Sequence, residues 1–430
     1  MFEAVLRAFR LPDVRRKLIF TFAMLAVFRI IAHVPLPGVR LDKLRELMAS
    51  NQLLGMLDLF SGGSLTTFSI AALGVYPYIT AQIVMQVLSP VIPQLQDLQK
   101  EGESGRMRVA QYTRLLAVPL AMLQAYAQGS LLAREGILDN FGLVGVGTFL
   151  PTVSMVLTLA AGTMFLVWLG ELITEQGIGN GMSLLIFAGI ISKLPASIAQ
   201  SFASGIGALS VFGLGLIGVA MVGAIIYINE GQRRIMVQYA KRIRGNRVFG
   251  GTSTYIPLRV NSSGMIPLIF AMSIMLIPGT IATYFTAAEP GAVRTVAEFV
   301  AGIFSSNGVV YWVLYFWLVV GFTYFYTAVV FQQQNLPETL QKQGGFIPGI
   351  RAGRPTADYL NRVLNRITLL GAVFLGVVAV APYIAGLIVG DRGMTTLSST
   401  GILIVVGVVL DTMKQLEAQL MMRQYEGFIR

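Results

Sequence analysis

Residues 309–331, VVYWVLYFWLVVGFTYFYTAVVF, and residues 367–389, ITLLGAVFLGVVAVAPYIAGLIV, carry no charged side chain. A helix needs about 20 predominantly apolar residues to cross the ~30 Å hydrocarbon core of a bilayer. Lipid offers no partner to backbone N–H and C=O groups, so each run must close its own hydrogen bonds as an α-helix. A transmembrane barrel would instead show short strands of alternating polarity. Working outward, eight further apolar runs are bounded by charges or by Pro and Gly. They fall at about 18–34, 73–92, 115–133, 150–170, 182–200, 206–228, 262–282 and 397–411. The expectation is an all-α membrane protein with ten transmembrane helices.

Composition agrees with this. Of 430 residues, 55% are hydrophobic and 12% charged, with a mean hydropathy of +0.69, whereas a soluble domain carries about 25% charged residues. An ordinary soluble enzyme, a disordered chain and a fibrous repeat are all excluded. The charged start followed by an apolar stretch is interrupted by Arg29 and closed by Pro35-Leu36-Pro37-Gly38, with no small-residue cleavage site. It is therefore expected to be a retained first span rather than a cleaved signal.

Ten spans put both termini on one side, and the charges decide which. Segments 1–17, 93–114, 171–181, 229–260, 332–366 and 411–430 hold 24 Lys/Arg and 13 Asp/Glu. The opposite segments 35–72, 134–149, 193–205, 283–308 and 390–396 hold 7 and 8. By the positive-inside rule the basic face, with both termini, is cytoplasmic. The segment 171–181 has no Lys or Arg at all, which departs from that pattern. Half of the inner basic residues lie in 229–260 and 332–366, long segments punctuated by Gly and Pro. In the first, RRIMVQYAKRI and RVFGGTSTYI flank Arg244-Gly245-Asn246-Arg247, two strands around a β-turn. Short loops would set topology equally well, so these two are expected to dock a partner: protein, anionic lipid headgroups or nucleic-acid phosphate.

Five spans precede the midpoint and five follow, so residues 1–200 and 201–430 form halves of inverted topology with a pathway between them. Span two begins Gly74-Val75-Tyr76-Pro77 and span seven Gly264-Met265-Ile266-Pro267. Catalytic groupings are hard to find. With no Cys there is no thiolate nucleophile, and with His33 alone no two-histidine metal site. A GxxxxGK[ST] phosphate loop is absent, and Glu175-Gln176-Gly177-Ile178-Gly179-Asn180-Gly181 is expected to be a flexible turn between helices rather than an anion loop. No enzyme activity, cofactor or metal is expected. A secondary transporter of a small or lipidic solute is the rival reading, opposed by the lack of a mid-span acid. Arg29, the one charge well inside a span, is expected to snorkel outward.

Ile79 and Ile83 are four residues apart, as are Ile186 and Ile190, so each pair shares a helix face. Such residues serve a core, a lipid face or a constriction that closes by dewetting. Before span two, residues 61–72, SGGSLTTFSIAA, are too short and polar to span and too apolar for a free loop. They are expected to form a small helix folded back into a cavity.

Several stretches resemble the SecY family, the central subunit of the bacterial Sec protein-conducting channel. They are GVYPYITAQIVMQVL (74–88), GIGNGMSLLIFAGII (177–191), GQRRIMVQYAKR (231–242), YIPLRVNSSGMIPLIF (255–270), FIPGIRAGRP (346–355) and ILIVVGVVLDTMKQLEAQLMMRQYEGF (402–428). The resemblance implies an hourglass pore between two five-helix halves. It implies a pore ring at Ile79, Ile83, Ile186, Ile190, Ile269 and Ile404, with Ile266 a neighbouring candidate. It implies a plug that includes Gly62, Gly63, Ser64, Leu65, Thr66, Thr67, Phe68, Ser69 and Ile70, and a lateral gate between spans two and three on one side and seven and eight on the other. It also implies that Lys241, Arg242, Arg247 and Arg351 dock the ribosome and the motor ATPase SecA. SecE and SecG would be membrane partners, with signal-sequence-bearing polypeptides as cargo and anionic lipids at the bacterial plasma membrane.

Overall fold

A computed structural model describes residues 11–50, 54–55, 58, 61–138, 140–142, 147–203, 208–239, 242–244, 247–249, 253–286, 291–305, 308–334, 336–351, 353–389 and 392–428. In chain order the elements are α1 (Pro12–Ile31), α2 (Leu41–Ser50), α3 (Tyr76–Leu88), α4 (Pro93–Lys100), α5 (Glu103–Arg134), α6 (Phe149–Gln176), α7 (Gly181–Ala203) and α8 (Ala208–Glu230). Strands β1 (Gln232–Tyr239), β2 (Arg242–Arg244), β3 (Arg247–Phe249) and β4 (Ser253–Arg259) follow. The chain continues through α9 (Ile266–Thr286), α10 (Ala292–Ile303), α11 (Val309–Gln334), α12 (Leu336–Lys342), β5 (Gly345–Phe346), α13 (Arg354–Val389) and α14 (Arg392–Phe428).

Each of the apolar runs picked out in the sequence is a helix, and several outrun the apolar stretch. Span three extends to 32 residues, span nine to 36, and span ten runs on to Phe428 as a 37-residue helix. Span two is shorter than its apolar run because Pro77 opens α3, where a missing N–H costs nothing. The same device starts span seven, with Pro267 second in α9. Three residues before each proline a glycine takes positive φ, Gly74 at 60° and Gly264 at 64°, a conformation that side chains with a Cβ avoid.

The chain forms two compact units. One comprises Met1–Gly218, Met272–Trp312 and Pro382–Arg430; the other comprises Val219–Ala271 and Val313–Ala381. Within the first, Ile178 is buried with Val14 and Leu416. Its backbone N–H donates to Thr21 Oγ1, and Asn180 Oδ1 accepts from Ser183 N to cap α7. The glycine-rich segment 175–181 thus holds the expected turn between helices, fastened by these bonds. Close by, Arg114 pairs with Glu171 at 3.0 Å, so basic charge from α5 serves the acidic end of α6.

The second unit holds the strands. β1 pairs antiparallel with β4 from Gln232↔Arg259 to Gln238↔Ser253, and β2 pairs with β3 from Arg242↔Phe249 to Arg244↔Arg247 in the same register. The expected hairpin is therefore present, longer than the sequence alone showed. β5, from the other basic segment, adds to the free edge of β1 through Gln238↔Phe346 and Tyr239↔Gly345. Alternation along β1 turns Ile235 and Val237 inward. They pack with Leu258, Phe331, Leu340, Ile347, Leu360 and Leu364 in a core of their own.

Candidate functional site

Residues 61–75 are a chain of turns, not the small helix expected. Positive φ at Gly62 (69°), Gly63 (88°) and Phe68 (41°) breaks any helical run. The hydroxyls then take over the bonds a helix would have closed, as short polar side chains do in turns. Ser64 Oγ donates to the Ala71 carbonyl at 2.6 Å, Thr66 Oγ1 to the Gly63 carbonyl at 2.6 Å, and Thr67 Oγ1 to the Ala32 carbonyl at 2.9 Å. Leu36 N donates to Phe68 O and Ile70 N to Val34 O, an antiparallel bridge that pins the segment to the end of α1.

The segment is packed in the first unit, with Ser61, Gly62, Ser64, Leu65, Phe68 and Ser69 all buried. Its seat is made by glycines. A Cβ on Gly189 of α7 would overlap the Gly62 backbone, and one on Gly162 of α6 would overlap the Ile70 carbonyl. Phe28 of α1 closes the other side, its ring 2.6 Å from where a Gly62 Cβ would stand.

Three charged groups meet here. Asp58, counted in the sequence as an ordinary outer-loop acid, is 1% exposed. Its Oδ2 pairs with Lys193 Nζ of α7, while Oδ1 accepts from Leu65 N (3.0 Å), Thr66 N (3.2 Å) and Ser61 Oγ (3.2 Å). Arg29, in the last turn of α1, donates from Nη1 to the Gly62 carbonyl at 2.9 Å. Neither Asp58 nor Lys193 was singled out from sequence. The available signal was an acid and a base placed beside apolar runs.

The expected pore isoleucines are buried. Ile79 and Ile83 lie one turn apart on α3, and Ile186 and Ile190 one turn apart on α7. Ile404 is buried on α14, where Gly401 brings the α14 backbone close to Ile190 Cγ2. These five belong to the first unit and Ile269, buried on α9, to the second. Spans two and seven touch within the first unit, where the Tyr76 hydroxyl donates to the Ser273 carbonyl at 3.1 Å.

Of the expected docking residues, Arg351 is exposed just after β5, its carbonyl accepting from Thr356 Oγ1 at 2.8 Å. Arg242 and Arg247 sit on β2 and β3. Lys241 lies outside the described residues. The sheet's outer face shows Met236 and Tyr255 at paired positions, both exposed, and Phe346 on the neighbouring strand. Arg233, Arg234 and Arg259 are exposed on the same sheet.

The family model described as SecY matches residues 69–413. Curated relatives named protein translocase subunit SecY include those of Streptomyces galbus, 44% identical across the whole of both chains, and Thermotoga maritima, 42% identical over all of this chain and 98% of the relative. The relative from Mycobacterium tuberculosis is 42% identical over the full length of both. Among solved structures, a protein-conducting channel superposes with a TM-score of 0.62 at 16% identity, covering 94% of this chain and 92% of the other. Sec61 in the canine ribosome–channel complex from the endoplasmic reticulum gives 0.62 at 17% with the same coverage. A family model over most of the length and full-length relatives above 40% identity leave one conclusion: the chain belongs to the SecY family of protein translocase subunits.

Proposed function

We propose that this chain is the passive channel through which secretory polypeptides cross the bacterial plasma membrane and from which membrane segments leave sideways into lipid. Protein translocation is the activity of its family. The observation that carries the finer reading is the buried, irregular segment 61–75, seated on glycines among apolar helices. Irregular backbone among membrane helices is stable only where protein or water surrounds it. A piece of chain held by turns and side-chain bonds can leave such a seat without unwinding a helix.

In this reading residues 61–72 plug the outer funnel. Ile79, Ile83, Ile186, Ile190, Ile269 and Ile404 form a compliant ring that closes around many sequences and offers ions no coordinating group. The lateral gate opens between spans two and three and spans seven and eight, across the Tyr76–Ser273 contact. The sheet built from both basic segments, with Arg242, Arg247, Arg351 and the undescribed Lys241, docks SecA or the ribosome on the cytoplasmic side and attracts anionic lipid. SecE and SecG complete the complex, both termini are cytoplasmic, and energy comes from the docked partner.

The test is reconstitution with SecE, SecG and SecA in liposomes, scoring protease protection of a secretory protein. Protection that requires both ATP and an intact signal sequence is expected. Protection without SecA, or uptake of a small solute in its place, contradicts the proposal. Replacing ring isoleucines by Gly or Ser is expected to raise idle ion conductance in planar bilayers, and unchanged conductance removes those residues from the ring.

A further inference from the structure

The three charges around the plug serve no purpose in a purely apolar seal, and a buried carboxylate such as Asp58 is costly unless it is matched. We infer that Asp58, Lys193 and Arg29 form a latch in which folding of the plug turn and its attachment to the channel wall are one event. The inference deepens the plug reading above and rests on it. The Asp58 carboxylate is shared. Through Oδ1 it organises the turn, accepting from Leu65 N, Thr66 N and Ser61 Oγ. Through Oδ2 it holds Lys193 of α7. Neither half can be given up alone without leaving a buried charge short of its partners.

Two further contacts tie the latch to the plug's first turn. Lys193 reaches Asp58 across Gly63, where an added Cβ would stand 2.7 Å from Lys193 Cε. Arg29, from α1, takes the Gly62 carbonyl at 2.9 Å. Arg29 and Lys193, from two different helices, thus meet the segment at consecutive residues, Arg29 by a hydrogen bond and Lys193 by its aliphatic stem, and both residues are glycines with positive φ. Lys193 and Arg29 are positioning residues: they hold the plug and do not touch the cargo. Displacing the plug requires Asp58 to leave Lys193, so the latch sets how often the idle channel opens.

The experiment records idle conductance of the full reconstituted complex in planar bilayers. Lys193→Met and Asp58→Asn are each expected to raise the open fraction about tenfold or more, as loss of one partner of a buried pair does. Lys193→Arg keeps the charge and is expected to stay at the parental level. Parental conductance in Lys193→Met overturns the latch. Deletion of residues 62–70 separates the two readings. If it raises conductance while the charge variants do not, the plug stands and the latch falls; if it changes nothing, the plug assignment itself is wrong.

Discussion

The proposed plug segment and the three-stranded sheet solve opposite problems. Residues 61–75 have irregular backbone in a buried place, and strands β1, β4 and β5 have regular backbone in an exposed one. In the first, hydroxyls and Asp58 satisfy backbone groups one at a time, and close approach is made by removing Cβ atoms from the wall. In the second, ladder pairing satisfies the backbone wholesale and a small apolar core holds the sheet to α11, α12 and α13. The proposed seal, which must come undone, is built from many separable contacts. The proposed docking platform is built from a cooperative set.

Breaking the first region at its seat has the largest expected effect. Gly189→Val places side-chain atoms where the Gly62 backbone lies, and backbone cannot yield as a flexible side chain does. Overpacking of this kind costs about 1–3 kcal/mol or more, so the plug is expected to remain unseated and idle conductance to rise by well over tenfold while SecA binding is unchanged. A sealed Gly189→Val channel would mean that residues 61–75 rest elsewhere.

Breaking the second region tests that the two are independent. Leu360 is fully buried beneath the sheet, and Leu→Ala in a core costs about 2–5 kcal/mol. Leu360→Ala is expected to loosen the sheet, weaken SecA or ribosome binding and leave idle conductance at the parental value. A rise in conductance would show that the platform also holds the seal.

Arg351→Glu sharpens the contrast without unfolding anything, since Arg351 is exposed. It is expected to impair SecA-driven or ribosome-coupled transport about tenfold through charge reversal at one contact, with membrane insertion of the chain intact. Exposed charges are screened within about 3 Å at 1 M salt, whereas buried pairs are not. High salt should therefore mimic Arg351→Glu and spare the seal. Normal translocation by the variant would place docking elsewhere.

Legibility in the sequence followed the same divide. Span helices were readable because lipid enforces a long apolar run for each one, and 309–331 and 367–389 could be nothing else. The hairpin 232–259 was readable from alternation around Gly245-Asn246, but the addition of β5 was not, since Gly345-Phe346 is two residues long and its pairing lies in the fold. In residues 61–72, the run SGGSLTTFSIAA marked a segment that is neither span nor free loop and missed its conformation. Apolar residues with hydroxyls suit a short helix as well as a string of turns, and positive φ at Phe68 has no signature in composition. Asp58 and Lys193 are 135 positions apart, and nothing local to either points to the other.

The smallest expected effect lies between these extremes, at the Tyr76 hydroxyl. It donates to the Ser273 carbonyl at 3.1 Å, and both residues are buried. Tyr76→Phe removes the donor and keeps the ring, so packing of α3 is retained. A hydrogen bond of this kind is worth about 1 kcal/mol net, and the carbonyl left behind adds to the loss. If the lateral gate parts at this contact, the variant should insert marginally hydrophobic membrane segments about fivefold more readily, with idle conductance unchanged because the plug contacts are untouched. A change in conductance without a change in insertion would assign the bond to the seal rather than to the gate.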